Sequence, residues 1–345
     1  MKQYHILVVD DSAFMRRGIS QLLEKDPSFH VVGIARNGSE AIEKVERLKP
    51  DLVTMDVEMP EMNGLEALKQ IMRLCPVPIV MLSSHTGDGA KETIQALEHG
   101  AVDFFLKEKL LKNPADEKLV HEFQQRLKGI LREKPPKAAP KRQIKVEKKV
   151  QRKQHPIELI FIGSSTGGPS ALQTILPCFP TDFPIPIVVA QHMPPGFTKP
   201  LAERFDTLCQ LTVREAQNGQ ELTAGNIYIF PSGYQTRFKK TEDGSNVFIV
   251  DDYLNEQALY KPSIDISLTS AAPIYSNRLL SIILTGMGND GTRGCGLVKK
   301  HHGTVLVEGE KSCIVYGMPK AVVEAGYADG QYELDEIFPQ IMSFV

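Results

Sequence analysis

The sequence predicts an α/β protein built as two doubly wound parallel-sheet domains. Three observations carry this. Short apolar runs alternate with stretches of helical spacing, in two separate series. Acidic, hydroxyl or glycine residues follow the apolar runs, where open α/β sheets place their ligands. A basic, Pro/Lys-rich stretch parts the two series, and 345 residues suffice for two ordinary domains.

In the first series, residues 1–131, the strand-like runs are HILVVD (5–10), HVVGIA (30–35), LVTMD (52–56), PIVMLS (78–83) and DFFLK (103–107). Between them lie stretches such as 13–25 and 38–48, with apolar residues at helical spacing. Strand then helix, five times over, implies a parallel sheet with crossover connections. Residues 133–156 carry nine Lys/Arg against two Glu, which leaves the rest of the chain at a net charge of −9. With almost no large apolar side chains this stretch cannot bury a core, so 132–156 is expected to be a solvated linker. Contact with nucleic acid or anionic lipid is the other use of such a charge run.

The second series occupies 157–345. ELIFIG (158–163), IPIVVAQ (185–191) and LLSIILTG (279–286) are continuous apolar runs of the kind buried in a parallel sheet. NIYIFP (226–231) and VFIVDD (247–252), on either side of the polar turn KKTEDGSN, predict an appended β-hairpin.

Composition narrows the class. Hydrophobic residues make up 42% and charged residues 24%, as in soluble globular proteins. No apolar run approaches the roughly 18 residues of a membrane span, and MKQYHILVVD enters a strand with no cleavage site, so no signal peptide is expected. Five scattered cysteines without a CxxC spacing argue against disulfides and zinc and predict a reducing, cytoplasmic location.

The polar residues at the strand ends of the first series form a set. Asp10 and Asp11 end the first run, Asp56 the third, Ser83 the fourth and Lys107 the fifth. Three converging carboxylates repel one another unless a hard cation joins them, and oxygen-only ligands suit Mg²⁺. A hydroxyl and an ammonium beside them suit a phosphoryl group. Acid-capped turns with a surface lysine would explain any one of these residues, but five at the ends of four strands point to a site.

This pattern resembles the receiver domain of two-component response regulators over the whole of 1–131. The resemblance implies a flavodoxin-like fold. It also implies that Asp56, in TMDVEMPEMNG, accepts a phosphoryl group and that Asp10 and Asp11 hold Mg²⁺ with it. By the same likeness Ser83 is the switch hydroxyl, Lys107 the phosphate-sensing lysine and Phe104 the switch aromatic, with a histidine kinase as phosphoryl donor. Glu108 departs from the pattern, which usually has proline after the lysine, and so removes the basis for a cis peptide there.

In the second series, LIFIGSSTGGPSAL (159–172) runs from strand through turn into helix. A P-loop needs Lys then Ser/Thr after its last glycine, and here Pro169 and Ser170 follow Gly168. A dinucleotide fingerprint needs glycine where Ser165 stands. G-x-S-x-G fits, with Gly163, Ser165 and Gly167, and Pro169 suits the helix's first turn. Alone, this motif leaves a structural turn open as an alternative to a nucleophile.

A serine nucleophile needs a base and an orienting acid. His5, His30, His85, His99 and His121 belong to the first series, His155 to the linker, and His301 and His302 to a predicted helix end. His192, in VVAQHMPPGF, ends a strand beside the Ser165 turn. Asp290, in ILTGMGNDGTRG, follows a third strand in a Gly-rich loop. Backbone N–H groups at Thr166 and its neighbours, at a helix start, face developing negative charge.

IGSSTGGPSAL, VVAQHMPPGFT, KPSIDISLTSAA, ILTGMGNDGTRG and SCIVYGMPKAV resemble, in order and across 158–327, the motifs of the chemotaxis protein-glutamate methylesterases, the CheB family. The resemblance implies a Rossmann-like esterase domain with Ser165 as nucleophile, His192 as base and Asp290 as orienting acid. Met287 joins Thr166 as an oxyanion contributor. Implied substrates are glutamyl methyl esters on the cytoplasmic region of transmembrane chemoreceptors, with glutamine deamidation by the same chemistry. Also implied are a chemotaxis kinase as donor, a receiver that covers the cleft until phosphorylated, no cofactor for the esterase, no nucleic acid and no membrane insertion. Glu308 stands where glutamine is usual, and Gln235 where histidine is frequent. The rival expectation is a receiver with a non-enzymatic output module. The basic linker favours it, whereas 158–345 show no helix-turn-helix pattern.

Overall fold

The computed structural model describes residues 3–84, 87–112, 117–132, 156–252 and 259–345. The chain divides into two compact units, Met1–Pro135 and Pro136–Val345. The expected linker 132–156 falls almost wholly outside the described residues.

The first unit contains β1 (Tyr4–Val9), α1 (Ala13–Glu24), β2 (Phe29–Ala35), α2 (Gly38–Leu48), β3 (Leu52–Asp56) and α3 (Gly64–Leu74). It continues with β4 (Ile79–Ser83), α4 (Gly87–Glu98), β5 (Asp103–Leu106), α5 (Lys107–Lys112) and α6 (Glu117–Arg132). Helix starts are set by side-chain caps. Ser12, Asn37 and Asn63 accept from the N–H groups of Met15, Glu40 and Glu66, which satisfies amides that a helix start leaves unpaired. The strands pair in parallel in the order β2-β1-β3-β4-β5. β3, β4 and β5 are buried at every position, as strands covered on both faces must be. Strand order reverses between β1 and β3, and the loops after these strands diverge to open a crevice.

The second unit begins with β6 (Leu159–Ser164), α7 (Gly168–Ile175), β7 (Ile187–Gln191), α8 (Thr198–Leu208), β8 (Thr212–Glu215) and β9 (Asn226–Ile229). After these come β10 (Gln235–Lys240), β11 (Asn246–Asp251), α9 (Ile264–Tyr275), β12 (Leu279–Ile283) and α10 (Thr292–Lys300). The unit ends with β13 (Thr304–Glu308), α11 (Met318–Glu324), β14 (Gly330–Tyr332) and α12 (Leu334–Met342). Seven strands form one parallel sheet in the order β14-β13-β12-β6-β7-β9-β8. Its order reverses between β6 and β12, so the loops bearing Ser165 and Asp290 leave neighbouring strands at the crevice.

The appended hairpin is not where the apolar pattern put it. β10 and β11 pair antiparallel as a separate two-stranded sheet, while Asn226–Ile229 is a parallel strand inside the large one. The reason is that its residues 227–230, IYIF, are continuously apolar and buried, as in a strand covered on both faces. β10 has one large apolar side chain, Phe238, and thus little strand signal. That ring nevertheless anchors the hairpin, packing edge-on to Phe230, Phe248 and Tyr275.

In the first unit α6 is held to β5 by Arg126. Its guanidinium makes a bidentate pair with Asp103, Nη2 to Oδ1 at 2.7 Å and Nε to Oδ2 at 3.1 Å, and lies 4.3 Å from the Phe105 ring centre. Hydrogen bonds to a charged partner contribute about 1.5–3 kcal/mol, and a planar fork is not replaceable by an apolar side chain of similar length. Arg126→Met is expected to lower the stability of this unit by about 2–3 kcal/mol, read as faster native-state hydrogen exchange at the β4 and β5 amides of the intact chain.

Candidate active site

The crevice of the first unit holds the predicted acids. Carboxylate oxygens of Asp10, Asp11 and Asp56 lie within 4.8 Å of one another, the first and last buried and Asp11 exposed. Asp10 accepts from the Ser12 N–H at 2.9 Å and Asp56 from the Glu58 N–H at 3.2 Å. The Lys107 ammonium stands 2.7 Å from Asp56 and 3.6 Å from Asp10. Burial pushes the Asp56 carboxyl up to about 7; Lys107 works against this and the Asp10 charge adds to it. Burial also raises Asp10. Burial opposes the charge on Lys107, yet the Asp56 carboxylate outweighs it and raises the ammonium above its usual range. Asp10 Oδ2 is buried and makes no hydrogen bond to another described residue, the Lys107 ammonium being 3.6 Å away. Oxygen-only donors, excess negative charge and one exposed ligand fit Mg²⁺, which would draw these protons off.

The remaining residues of that site are placed around it. Phe104 is buried in β5. Ser83 ends β4, where its hydroxyl accepts from the Thr93 hydroxyl at 2.7 Å. Lys107 and Glu108 open α5, and the cis peptide found among the described residues is Lys261–Pro262.

Parallel pairing assembles the second site. Ser164 lies opposite Gln191 at the ends of β6 and β7, so Ser165 and His192 step off adjacent strands, which run ~4.8 Å apart. Ser165 opens a sharp turn into α7, where Gly167 takes φ 79°, a left-handed conformation costly for side chains with a Cβ. Gln191 braces the turn. It takes the Ser164 hydroxyl at 2.6 Å through Oε1, and its amide donates to the Ser165 and His192 carbonyls at 3.0 and 2.9 Å. The His192 N–H donates to the Ser164 carbonyl at 3.0 Å.

His192 is fixed from two directions. Nε2 lies 2.8 Å from Asp290 Oδ2, and the imidazole stacks on Tyr260 with ring centres 4.1 Å apart and planes 12° apart. Nδ1 is buried and makes no hydrogen bond to another described residue. With the proton on Nε2, held by a carboxylate, Nδ1 is the basic nitrogen.

Asp290 is the most heavily donated carboxylate of the site. Besides His192 it accepts from the Ser263 hydroxyl at 3.0 Å and from the N–H groups of Ile264, Asp265 and Gly291 at 2.8, 3.0 and 3.1 Å. Ser263 is the N-cap of α9, so the helix start faces the negative charge. Burial works to raise the carboxyl, but His192 and the amide donors overcome it and hold Asp290 below its usual range. Gln235 links this anchor to the stacking ring, taking the Ser263 N–H at 2.8 Å and donating to the Tyr260 carbonyl at 2.8 Å.

The third loop follows β12. The Thr285 carbonyl accepts the Ser165 N–H at 3.0 Å, and the Thr285 hydroxyl donates to the Thr166 carbonyl at 2.9 Å. Gly286 lies so close that a Cβ there would stand 2.8 Å from the Ser165 Cβ, which forbids a side chain. Neither the Thr166 nor the Met287 N–H donates to another described residue.

Ser165, His192 and Asp290 are thus gathered at one sheet edge, with Thr166 and Met287 beside them. His192 is bonded to Asp290, and no hydrogen bond joins it to Ser165; such bonds are often long before substrate binds. A hydroxyl, an oriented imidazole, a carboxylate kept charged and free N–H groups suit acyl transfer. Sequence reasoning missed Gln191, Tyr260, Ser263 and Thr285. The one signal was a polar residue ending an apolar run, which Gln191 and Thr285 share.

Residues 160–341 match the CheB methylesterase family and residues 6–113 the response regulator receiver domain. A protein-glutamate methylesterase/protein-glutamine glutaminase of Thermotoga maritima is 44% identical over 331 residues, 94% of this chain and 93% of its own. One of the group 1 operon of Pseudomonas putida is 42% identical over 365 residues, 96% of each chain. The crystal structure of the Thermotoga maritima CheB methylesterase catalytic domain superposes with a TM-score of 0.53 at 43% identity, covering 55% of this chain and 100% of that one. A receiver followed by this catalytic domain, matched almost end to end by such relatives, makes the chain a member of the CheB protein-glutamate methylesterase/protein-glutamine glutaminase family.

Proposed function

We propose that this chain hydrolyses glutamyl methyl esters on chemoreceptors, deamidates receptor glutamines by the same route, and is regulated by phosphorylation of Asp56. The observation that carries the reading is the Ser165 turn beside a histidine whose Nε2 is held by Asp290 at 2.8 Å.

The proposed steps follow from the free atoms. Nδ1 of His192 takes the Ser165 proton as Oγ attacks the ester carbonyl. The N–H groups of Thr166 and Met287 receive the negative charge on the carbonyl oxygen. His192 then gives the proton to the leaving methoxide, so methanol departs and an acyl-serine remains. Water, losing a proton to Nδ1, attacks the acyl-serine, and collapse of the adduct returns that proton to Ser165 and releases a glutamate side chain. With a glutamine substrate the leaving group is ammonia and the remaining steps are the same. Asp290 stays charged throughout, holding the proton on Nε2 and stabilising the imidazolium.

For the receiver, Asp10, Asp11 and Asp56 would hold Mg²⁺, which neutralises the entering phosphoryl group; Lys107 would pair with that group and Ser83 donate to it. A kinase of the chemotaxis system is the proposed donor, and the cytoplasmic region of methylated receptors the proposed substrate. Family membership supports both, as it supports a receiver that restrains the catalytic unit until Asp56 is phosphorylated. Among the described residues, no helix is long and apolar enough to cross a membrane.

Three outcomes are expected. Ser165→Ala loses methanol release from methylated receptor by about 10⁴-fold or more and is not labelled by a fluorophosphonate; full methanol release from this variant refutes the mechanism. Acetyl phosphate with Mg²⁺ stimulates the wild type, whereas Asp56→Asn keeps its basal rate and gains nothing. Gln191→Leu leaves the Ser165 and His192 carbonyls without their donor, and urea denaturation is expected to show a loss of about 2–4 kcal/mol.

A further inference from the structure

Glu308 ends β13, is 0% exposed, and has no part in the steps above. Its Oε2 accepts from the Thr285 N–H at 2.8 Å, and its Oε1 lies within hydrogen-bond distance of the Ser312 hydroxyl oxygen, at 2.9 Å. Thr285 is the residue from which the nucleophile's turn hangs. Its carbonyl takes the Ser165 N–H at 3.0 Å, and its hydroxyl donates to the Thr166 carbonyl at 2.9 Å and accepts from the Val315 N–H at 3.0 Å. Two residues further on is Met287, with its uncommitted N–H. One carboxyl group therefore ties down the N–H of the residue whose carbonyl holds the Ser165 N–H and whose chain leads to a proposed oxyanion donor.

We propose that Glu308 is a positioning residue for Ser165 that works as a neutral carboxyl group, accepting from Thr285 with one oxygen and donating to Ser312 with the other. This rests on the serine-hydrolase reading above. The neutral form satisfies every partner. Its O–H donates to Ser312 Oγ, which turns its own proton to the Gly309 carbonyl, 3.3 Å away, and still accepts the Leu334 N–H at 2.9 Å. A hydroxyl has lone pairs for both acceptances.

The ionised form meets a hostile setting. Among the described residues no lysine or arginine lies among the main influences on its charge. The groups that face it are the Thr285 N–H, the Ser312 hydroxyl, the buried Cys313 thiol and the Glu333 carboxylate at the start of α12. Burial pushes the Glu308 carboxyl up to about 7, Glu333 adds to the rise, and the Thr285 and Ser312 donors oppose it. The sign follows directly. Below this value the carboxyl is neutral, and above it a negative charge sits on the Thr285 N–H, two residues from the Met287 N–H proposed to receive the oxyanion, and so opposes the transition state.

The test compares the full-length wild type with Glu308→Gln and Glu308→Ala, following methanol release from methylated receptor between about pH 5.5 and 9. Glutamine keeps an acceptor for Thr285 and a donor for Ser312 but cannot ionise. Taking the ratio of E308Q to wild-type kcat cancels any pH dependence common to both. The ratio is expected to rise at least about threefold through neutrality and level off above it, with KM unchanged, while E308A lowers kcat at every pH. A ratio flat with pH overturns the proposal. Carbon NMR of the wild type provides a measurement independent of the variants: a Glu308 carboxyl titrating in the ordinary glutamate range overturns it equally. Ser165→Ala separates the two readings. If that variant is inert and the ratio is flat, only the role of Glu308 fails; if it still turns over, the hydrolase reading fails with it.

Discussion

The pairing of Ser164 with Gln191 across two parallel strands is the constraint on which the catalytic unit depends. Parallel register sets which residues leave adjacent strands together, and a slip of one position would send every side chain to the opposite face. Here it releases Ser165 and His192 side by side, and Gln191 then locks the register with bonds to both their carbonyls. The same logic acts across β6 and β12, where Gly163 lies opposite Ile283 and the loop beyond reaches Asp290. Three residues distant in sequence become neighbours because three adjacent strands end at the same edge.

Both units use the reversal of strand order as a ligand site, but they treat buried negative charge in opposite ways. Asp290 and Asp56 are each buried carboxylates. Asp290 receives a hydroxyl, three amides and an imidazole, and stays charged. Asp56 has, among the described residues, one amide and one ammonium, with Asp10 as a repelling neighbour, and its carboxyl rises to about 7. Burial disfavours charge at both positions, so the number and sign of the partners decide the outcome. A carboxylate that is to orient a base must carry its charge permanently. The role proposed for Asp56, binding a metal and accepting a phosphoryl group, is better served by a carboxylate left short of donors until these arrive.

The sheets were legible because covered parallel strands need uninterrupted apolar runs, and ELIFIG, IPIVVAQ and LLSIILTG are such runs. Candidate residues were legible for a related reason: a polar residue just after such a run is at a strand end, and Ser165, His192, Asp10 and Asp56 all are. What periodicity could not supply was anything fixed by partners remote in sequence. Phe238 carries its hairpin strand almost alone, so the apolar pattern points to Asn226–Ile229 in place of Gln235–Lys240. Tyr260 reaches His192 from a loop with no regular pattern, and Ser263 reads as an ordinary helix cap until Asp290 is seen against it. Glu308 and Gln235 stood out as unusual residue types, but their roles as braces depend on Thr285, Tyr260 and Ser263, which are distant in sequence.

The catalytic site divides into atoms that are committed and atoms that are not. The carbonyls of Ser165, Thr166 and His192, both oxygens of Asp290 and the peptide of Thr285 are all engaged in hydrogen bonds. His192 Nδ1 and the amides of Thr166 and Met287 are not engaged with other described residues. A free polar atom in a buried frame is costly, and a folded chain retains one only where the surrounding bonds hold it in place. The committed set therefore makes the uncommitted set possible. Because the frame is already in place, the atoms proposed to accept a proton and to donate to an oxyanion need no reorganisation when a carbonyl arrives, and it is this absence of reorganisation that makes fixed dipoles more effective than water. Glu308 fits the same division, since it lies outside the free set and bonds the N–H of Thr285, whose carbonyl takes the Ser165 N–H and whose chain leads on to Met287.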